Sequence, residues 1–148
     1  MGTRRQDFEE FVVVCGDRLL RTAFLLTGDP GRAEGLLQSA LAKAWFAWGH
    51  LDDPPETHVR RLLLVTSRAG RRDGGGHGVL AALPARLRAV VVLRVHDGLT
   101  EDEAAELLGW SVATVRTRTE RALARLGVDR AGLAGDLDDE TGTLAAPA

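Results

Sequence analysis

Apolar residues recur at intervals of three and four over most of the chain, the pattern of helices that each bury one face. Phe8, Phe11, Val12, Cys15, Leu19 and Ala23 form the first stripe. It stops at "TGDPG", where Gly28 suits a left-handed cap, Asp29 an N-cap and Pro30 the first position of a new helix. A second stripe follows through Ala33, Leu36, Leu37, Ala40, Leu41, Ala44, Trp45 and Trp48. "GHLDDPP" closes it, and Asp53-Pro54 repeats the cap-then-proline start. The third helix runs through Val59, Leu62 and Leu63 towards the Arg71-Arg72 pair. These three helices are expected to form one unit, residues 1–69. The glycine-rich stretch "GRRDGGGHG", residues 70–78, reads as flexible linker.

Beyond the linker, Leu80, Leu83, Leu87, Val90, Val91 and Leu93 make an apolar patch. The β-branched run "AVVVLRV" is compatible with a buried strand. A helix is the better reading, because Pro84 suits a helix start and no second strand exists to pair with. Asp97-Gly98 turns the chain, and Thr100 with Glu103 spells a capping box. Ala104, Ala105, Leu107 and Leu108 are the inner face of the next helix, and Gly109 is its cap. Ser111 starts the last helix, whose core face is Val112, Val115, Thr119, Ala122, Leu123 and Leu126. After Val128 the stripe is lost among Gly, Asp and Thr, which predicts a frayed, disordered acidic tail over 128–148. The expected architecture is therefore all-α, with two small helical domains and a second domain, 79–127, built around a helix-turn-helix.

Composition narrows the function classes. The longest apolar runs are too short to span a membrane, and "MGTRRQ" has Gln6 where an acylation signal needs Ser or Thr. No apolar segment follows the first arginines, so a secretory signal is not expected, and one cysteine fits a reducing cytoplasm. Cys15, between Val12 and Leu19, reads as a buried, inert thiol. His50, His58, His77 and His96 are scattered, Asp52-Asp53 is explained as loop and cap, and no glycine-rich phosphate cradle follows a strand. No enzyme activity, metal or cofactor is expected.

The formal net charge of −2 conceals two basic segments. Residues 54–72 carry five arginines against Glu56, and residues 111–130 carry five against Glu120 and Asp129. A polyanion meets local potential, not the sum. In the last helix the step of about 100° per residue puts Val115, Ala122 and Leu126 inward. It puts Ala113, Thr117, Glu120 and Ala124 outward, flanked by Arg116 and Arg121. Small residues in the middle let a helix enter the major groove, and arginines at the margins reach guanine edges or phosphates. Glu120 can accept from a cytosine amine. Arg118 lies nearer the inner side, suited to backbone contact. Trp110, in the corner, is read as packing.

The stretch "LPARLRAVVVLRVHDGLTEDEAAELLGWSVATVRTRTERALARL" resembles the C-terminal domain of extracytoplasmic-function (ECF) sigma factors. The matching positions are Leu83-Pro84, Arg88 to Arg94, and Ser111 to Ala122. "LLRTAFLLTGDPGRAEGLLQSALAKAWFAW" resembles the actinobacterial form of the N-terminal domain, so the likeness covers about Asp7 to Leu126. The resemblance implies an all-helical subunit of bacterial RNA polymerase holoenzyme, acting in the cytoplasm. Its first domain would bind core polymerase and the −10 promoter element, and its second would read the −35 element. On that reading Arg116, Thr117, Glu120 and Arg121 face bases, with Ser111 and Thr114 at the start of the helix, and Arg118 and Arg125 touch phosphates. Arg60, Arg61, Arg68, Arg71 and Arg72 form a second DNA-facing surface. Gln38, Leu41 and Trp45 mark the polymerase contact. The implied partners are promoter DNA and core polymerase, with an anti-sigma factor left open as a third.

The chain also departs from the family pattern. Gly35 and Ser39 replace acids, and "LLVTSRAGRRD" lacks the Asn and aromatic residues that usually precede the arginines. The linker of about eight residues reaches at most roughly 26 Å. A sigma-like DNA-binding or decoy protein that does not initiate transcription is the alternative these departures leave open.

Overall fold

The computed structural model describes residues 3–69, 78–142 and 144, without the side chains of Arg68 and Ala69. Of the expected linker 70–78, residues 70–77, with Arg71, Arg72 and His77, lie outside the described residues. Among the described residues seven α-helices follow in order: α1 (Thr3–Thr27), α2 (Pro30–Phe46), α3 (Pro55–Ala69), α4 (Ala85–Val91), α5 (Glu101–Leu108), α6 (Val112–Leu126) and α7 (Arg130–Gly142). A single 3-10 turn, Trp48–His50, follows α2, and α4 runs on as a π turn over Val92–His96.

The caps explain where the helices begin and end. Asp29 accepts hydrogen bonds from the backbone N–H groups of Gly31 and Arg32, with Pro30 leading α2. Thr100 and Glu103 form the reciprocal capping box of α5. Asp53 does not act as foreseen: α3 starts one residue later, at Pro55, and the Asp53 carboxylate instead pairs with Arg61 at 3.0 Å.

In the first half, α1, α2 and α3 pack around Leu19, Ala23, Ala33, Ala44, Val59 and Leu63, all fully buried. The ambiguous valine run is helical, and Val90, Val91, Val92 and Leu93 are all fully buried. Four consecutive apolar residues are hidden because α4 and its π turn run down the middle, with α1, α6 and α7 packed around them. A helix enclosed on all sides loses the stripe that normally distinguishes it from a strand.

The two halves are in contact. Asp97, at the end of the π turn, accepts hydrogen bonds from Thr22 Oγ1 of α1 (2.8 Å) and Arg60 Nε of α3 (2.9 Å). It also lies 3.0 Å from His96 Nδ1. Arg88 reaches back to donate to the carbonyl of Leu26 at the C-terminal end of α1, where a cation complements the helix dipole. It also donates to the carbonyls of Ala81 and Leu83, tying the start of the second half to α1.

The C-terminal segment differs from expectation. The composition predicts a disordered tail over 128–148, but Arg130–Gly142 is a helix with Leu133, Leu137 and Thr141 buried. It packs against α1 and the π turn. Arg130 donates to the carbonyl of Arg94, and Glu140 accepts from the N–H of Val79. Gly78 has φ +103°, and the Glu140 carboxylate occupies the space a Cβ there would need. Two leucines four residues apart are too few to raise a visible stripe, so only the groove that receives them reveals this helix.

Candidate nucleic-acid interface

The corner between α5 and α6 is set by local chemistry. Gly109 takes φ +73°, a left-handed conformation that side chains resist, and its N–H closes on the carbonyl of Ala105. Ser111 then caps α6: its hydroxyl accepts from the Thr114 N–H (3.1 Å) and donates to Thr114 Oγ1 (2.9 Å). Ser111 and Thr114 are thereby engaged with each other at the tip of the helix. Inward, Val115, Thr119 and Ala122 are buried, and Thr119 satisfies its hydroxyl on the carbonyl of Val115. Outward, Ala113, Thr117, Glu120, Arg121, Ala124 and Arg125 are exposed. The exposed ridge is the one the helical spacing requires.

Two arginines of α6 are held by neighbours. Arg118 lies 4.3 Å above the Trp110 ring, so the corner tryptophan is a platform for a cation. Arg116, 58% exposed, places Nε and Nη2 on the two carboxylate oxygens of Glu101 at 3.1 and 2.7 Å. These hydrogen bonds hold the Glu101 carboxyl below the ordinary glutamate range, and the carboxylate in turn raises Arg116. Nothing in the residue spacing singles out the partnership, because it crosses the corner between helices.

The arginines of α3 have a different fate. Arg60 was expected to face DNA, but its side chain is only 8% exposed and is paired with Asp97 and Glu56. It is a structural residue at the junction of the halves, not part of an open basic surface. Arg61 is partly exposed and paired with Asp53. Arg68 is on α3, with its side chain outside the described residues. Arg94 and Arg88, unassigned from the sequence, are also internal. Arg94 donates to the carbonyl of Leu99 at 2.6 Å, and burial lowers its pKa. Cys15 is buried beside Arg18 and Glu56; burial, then the Glu56 charge, pushes its thiol up, as suits an inert residue.

On α2, Gln38 is exposed and Leu41 and Trp45 are half-buried, at a spacing that places them on one side of the helix. Trp45 meets Phe8 edge-on at 5.2 Å, with Arg4 over its ring. Phe46, which lies off the stripe and was not singled out, is 79% exposed. Gly35 and Ser39 are exposed on the same helix, and a side chain at position 35 would meet open space. Packing therefore does not require the glycine.

Residues 77–126, which include the whole helix-turn-helix, match the family described as Sigma-70, region 4. An RNA polymerase sigma-E factor from Streptomyces coelicolor is 33% identical, with 89% of each chain covered. The chain belongs to the ECF sigma factors of bacterial RNA polymerase. A second sigma-E factor, from Streptomyces avermitilis, is 32% identical over 81% of this chain and 83% of its own. The fold agrees as well: the solved structure of CnrH in complex with the cytosolic domain of CnrY superimposes with a TM-score of 0.71 at 27% identity. That match covers 89% of this sigma factor and 90% of CnrH. The role is therefore promoter recognition and transcription initiation with RNA polymerase. Among the described residues, no helix is long and apolar enough to cross a membrane, and no cluster of His, Cys, Asp and Glu could hold a metal.

Proposed function

We propose that this sigma factor divides its work between the two halves, with the outer ridge of α6 reading the −35 element as duplex. The observation that carries this is the exposed row of Thr117, Glu120 and Arg121 on the outer face of a helix whose inner face is buried. Arg116 joins that row as a base-reading residue. Arg118, braced on Trp110, and Arg125 take phosphates, and Ser111 with Thr114 presents the helix N-terminus, where backbone N–H groups favour an anion. Residues 79–127 form the −35 domain on this reading, and residues 1–69 form the domain for core polymerase and the −10 element.

The polymerase contact is assigned to the side of α2 that carries Gln38, Leu41 and Trp45. Arg61, Arg68, Arg71 and Arg72 remain as the −10 surface, without Arg60. The protein acts in the cytoplasm and carries out no catalysis of its own. The CnrH complex supports the reading that a regulatory polypeptide, an anti-sigma factor, is a further partner.

The test is run-off transcription with purified core polymerase. The expected result is a stable complex and a transcript whose start depends on a specific upstream duplex sequence. A complex that forms but yields no transcript from any fragment of the source genome would favour the decoy alternative. Absence of a complex would remove the assignment of α2.

A further inference from the structure

We propose that Glu101 is a positioning residue for promoter reading: it fixes the Arg116 guanidinium so that its free edge points into the groove. This rests on the assignment of Arg116 to a base, and extends it to a residue on the preceding helix. Arginine offers five N–H donors in a rigid plane, arranged as two forks. One fork is Nε with Nη2; the other is Nη1 with Nη2. Glu101 occupies the first, at 3.1 and 2.7 Å. The second fork remains for the O6 and N7 of a guanine, the usual bidentate pairing.

The brace is itself braced. Glu101 is the first residue of α5, directly after the capping-box Thr100, so its backbone is fixed. Its carboxylate also lies 3.9 Å from Arg94 Nη2. Arg94 is largely buried and anchored on the carbonyl of Leu99, while Arg130 of α7 is anchored on the carbonyl of Arg94. The carboxylate, whose side chain is 28% exposed, thus has the anchored Arg94 on one side and holds one exposed guanidinium on the other. An arginine fixed before binding loses less rotamer freedom when it meets its base, and a fixed plane discriminates between bases better than a swinging one.

The experiment uses the full-length chain and a pool of randomised DNA duplexes, followed by binding to the selected sequence varied one base pair at a time. R116A is expected to lower discrimination at one base pair by about tenfold or more. E101Q is expected to lower it at that same base pair by about three- to tenfold, with the other positions unchanged. E101D, which keeps the charge at the helix N-terminus but is too short to hold both nitrogens, should act like E101Q. The double variant R116A/E101Q should lose no more than R116A alone. A uniform loss at all positions would mean that Glu101 only supports the fold, and would overturn the proposal. Sharper discrimination in E101Q would show that Glu101 withholds Arg116 from DNA, and would overturn it as well. So would an unchanged profile in E101Q and E101D beside a relaxed one in R116A, with the assignment of Arg116 left standing. No effect of R116A, or no selection of any duplex by the unaltered chain, would overturn both.

Discussion

Helices α3 and α6 both carry arginines on an amphipathic frame, and from composition they look interchangeable as DNA-facing elements. In the folded chain they are not. Arg60 of α3 is buried against Asp97 and Glu56, at the seam where the second half meets the first. Arg121 and Arg125 of α6 are exposed, and Arg116 and Arg118 are steered by a carboxylate and an indole without being buried. The contrast comes from what each helix packs against. The α3 face that carries Arg60 meets a buried acid from a distant turn, whereas the middle of the outer face of α6, at Ala113, Thr117, Glu120 and Ala124, is exposed.

The largest expected effect tests the buried side of this comparison. D97A strips Arg60 of a buried partner and should destabilise the fold by about 3–5 kcal/mol, read from denaturant unfolding. A change under about 1 kcal/mol would mean that the Arg60–Asp97 pair does not hold the halves together. L137A should cost about 3 kcal/mol by opening a cavity under α7, whereas an unstructured tail would give no change.

The exposed side should behave oppositely. R121A should leave stability within about 0.5 kcal/mol while weakening binding to the selected −35 duplex by about 1–3 kcal/mol. If it destabilises the chain without affecting binding, the division between the two helices fails. R125A should weaken all duplexes evenly and reduce the salt dependence of log K by about one.

The smallest effect is in pH. Arg116 holds Glu101 below the ordinary glutamate value, so the stabilisation from this pair is present above the ordinary range. It is lost as pH falls through the lowered folded value. Arg94 and Arg130 face the same carboxylate and act in the same direction. An NMR titration of the Glu101 side chain should place its midpoint below that of the unfolded chain, and R116A should move it up.

Much of the fold was legible because it is written locally. The Asp29 cap, the Thr100–Glu103 box, the Gly109 corner and the Ser111 cap depend on residues a few positions apart, and each occurs as read. The outer row of α6 was legible for the same reason, since 100° per residue is a property of the helix alone. What escaped was non-local. Arg60 and Asp97 are 37 positions apart, Arg116 and Glu101 are 15, and Val79 and Glu140 are 61. No periodicity links such pairs. The acidic tail misled for a related reason: its glycines and acids argue against a free-standing helix, and the argument holds until a groove supplies burial for Leu133 and Leu137.

The sequence by itself determined the helices as far as α6, the caps at Asp29, Thr100 and Ser111, the corner and the outward face of α6, because backbone hydrogen bonding and side-chain periodicity act within a few residues. Only the tertiary structure decided which arginines remain available to a polyanion. A guanidinium is free or spoken for according to whether a carboxylate, an aromatic ring or a carbonyl from elsewhere in the chain is brought within about 3–4 Å of it.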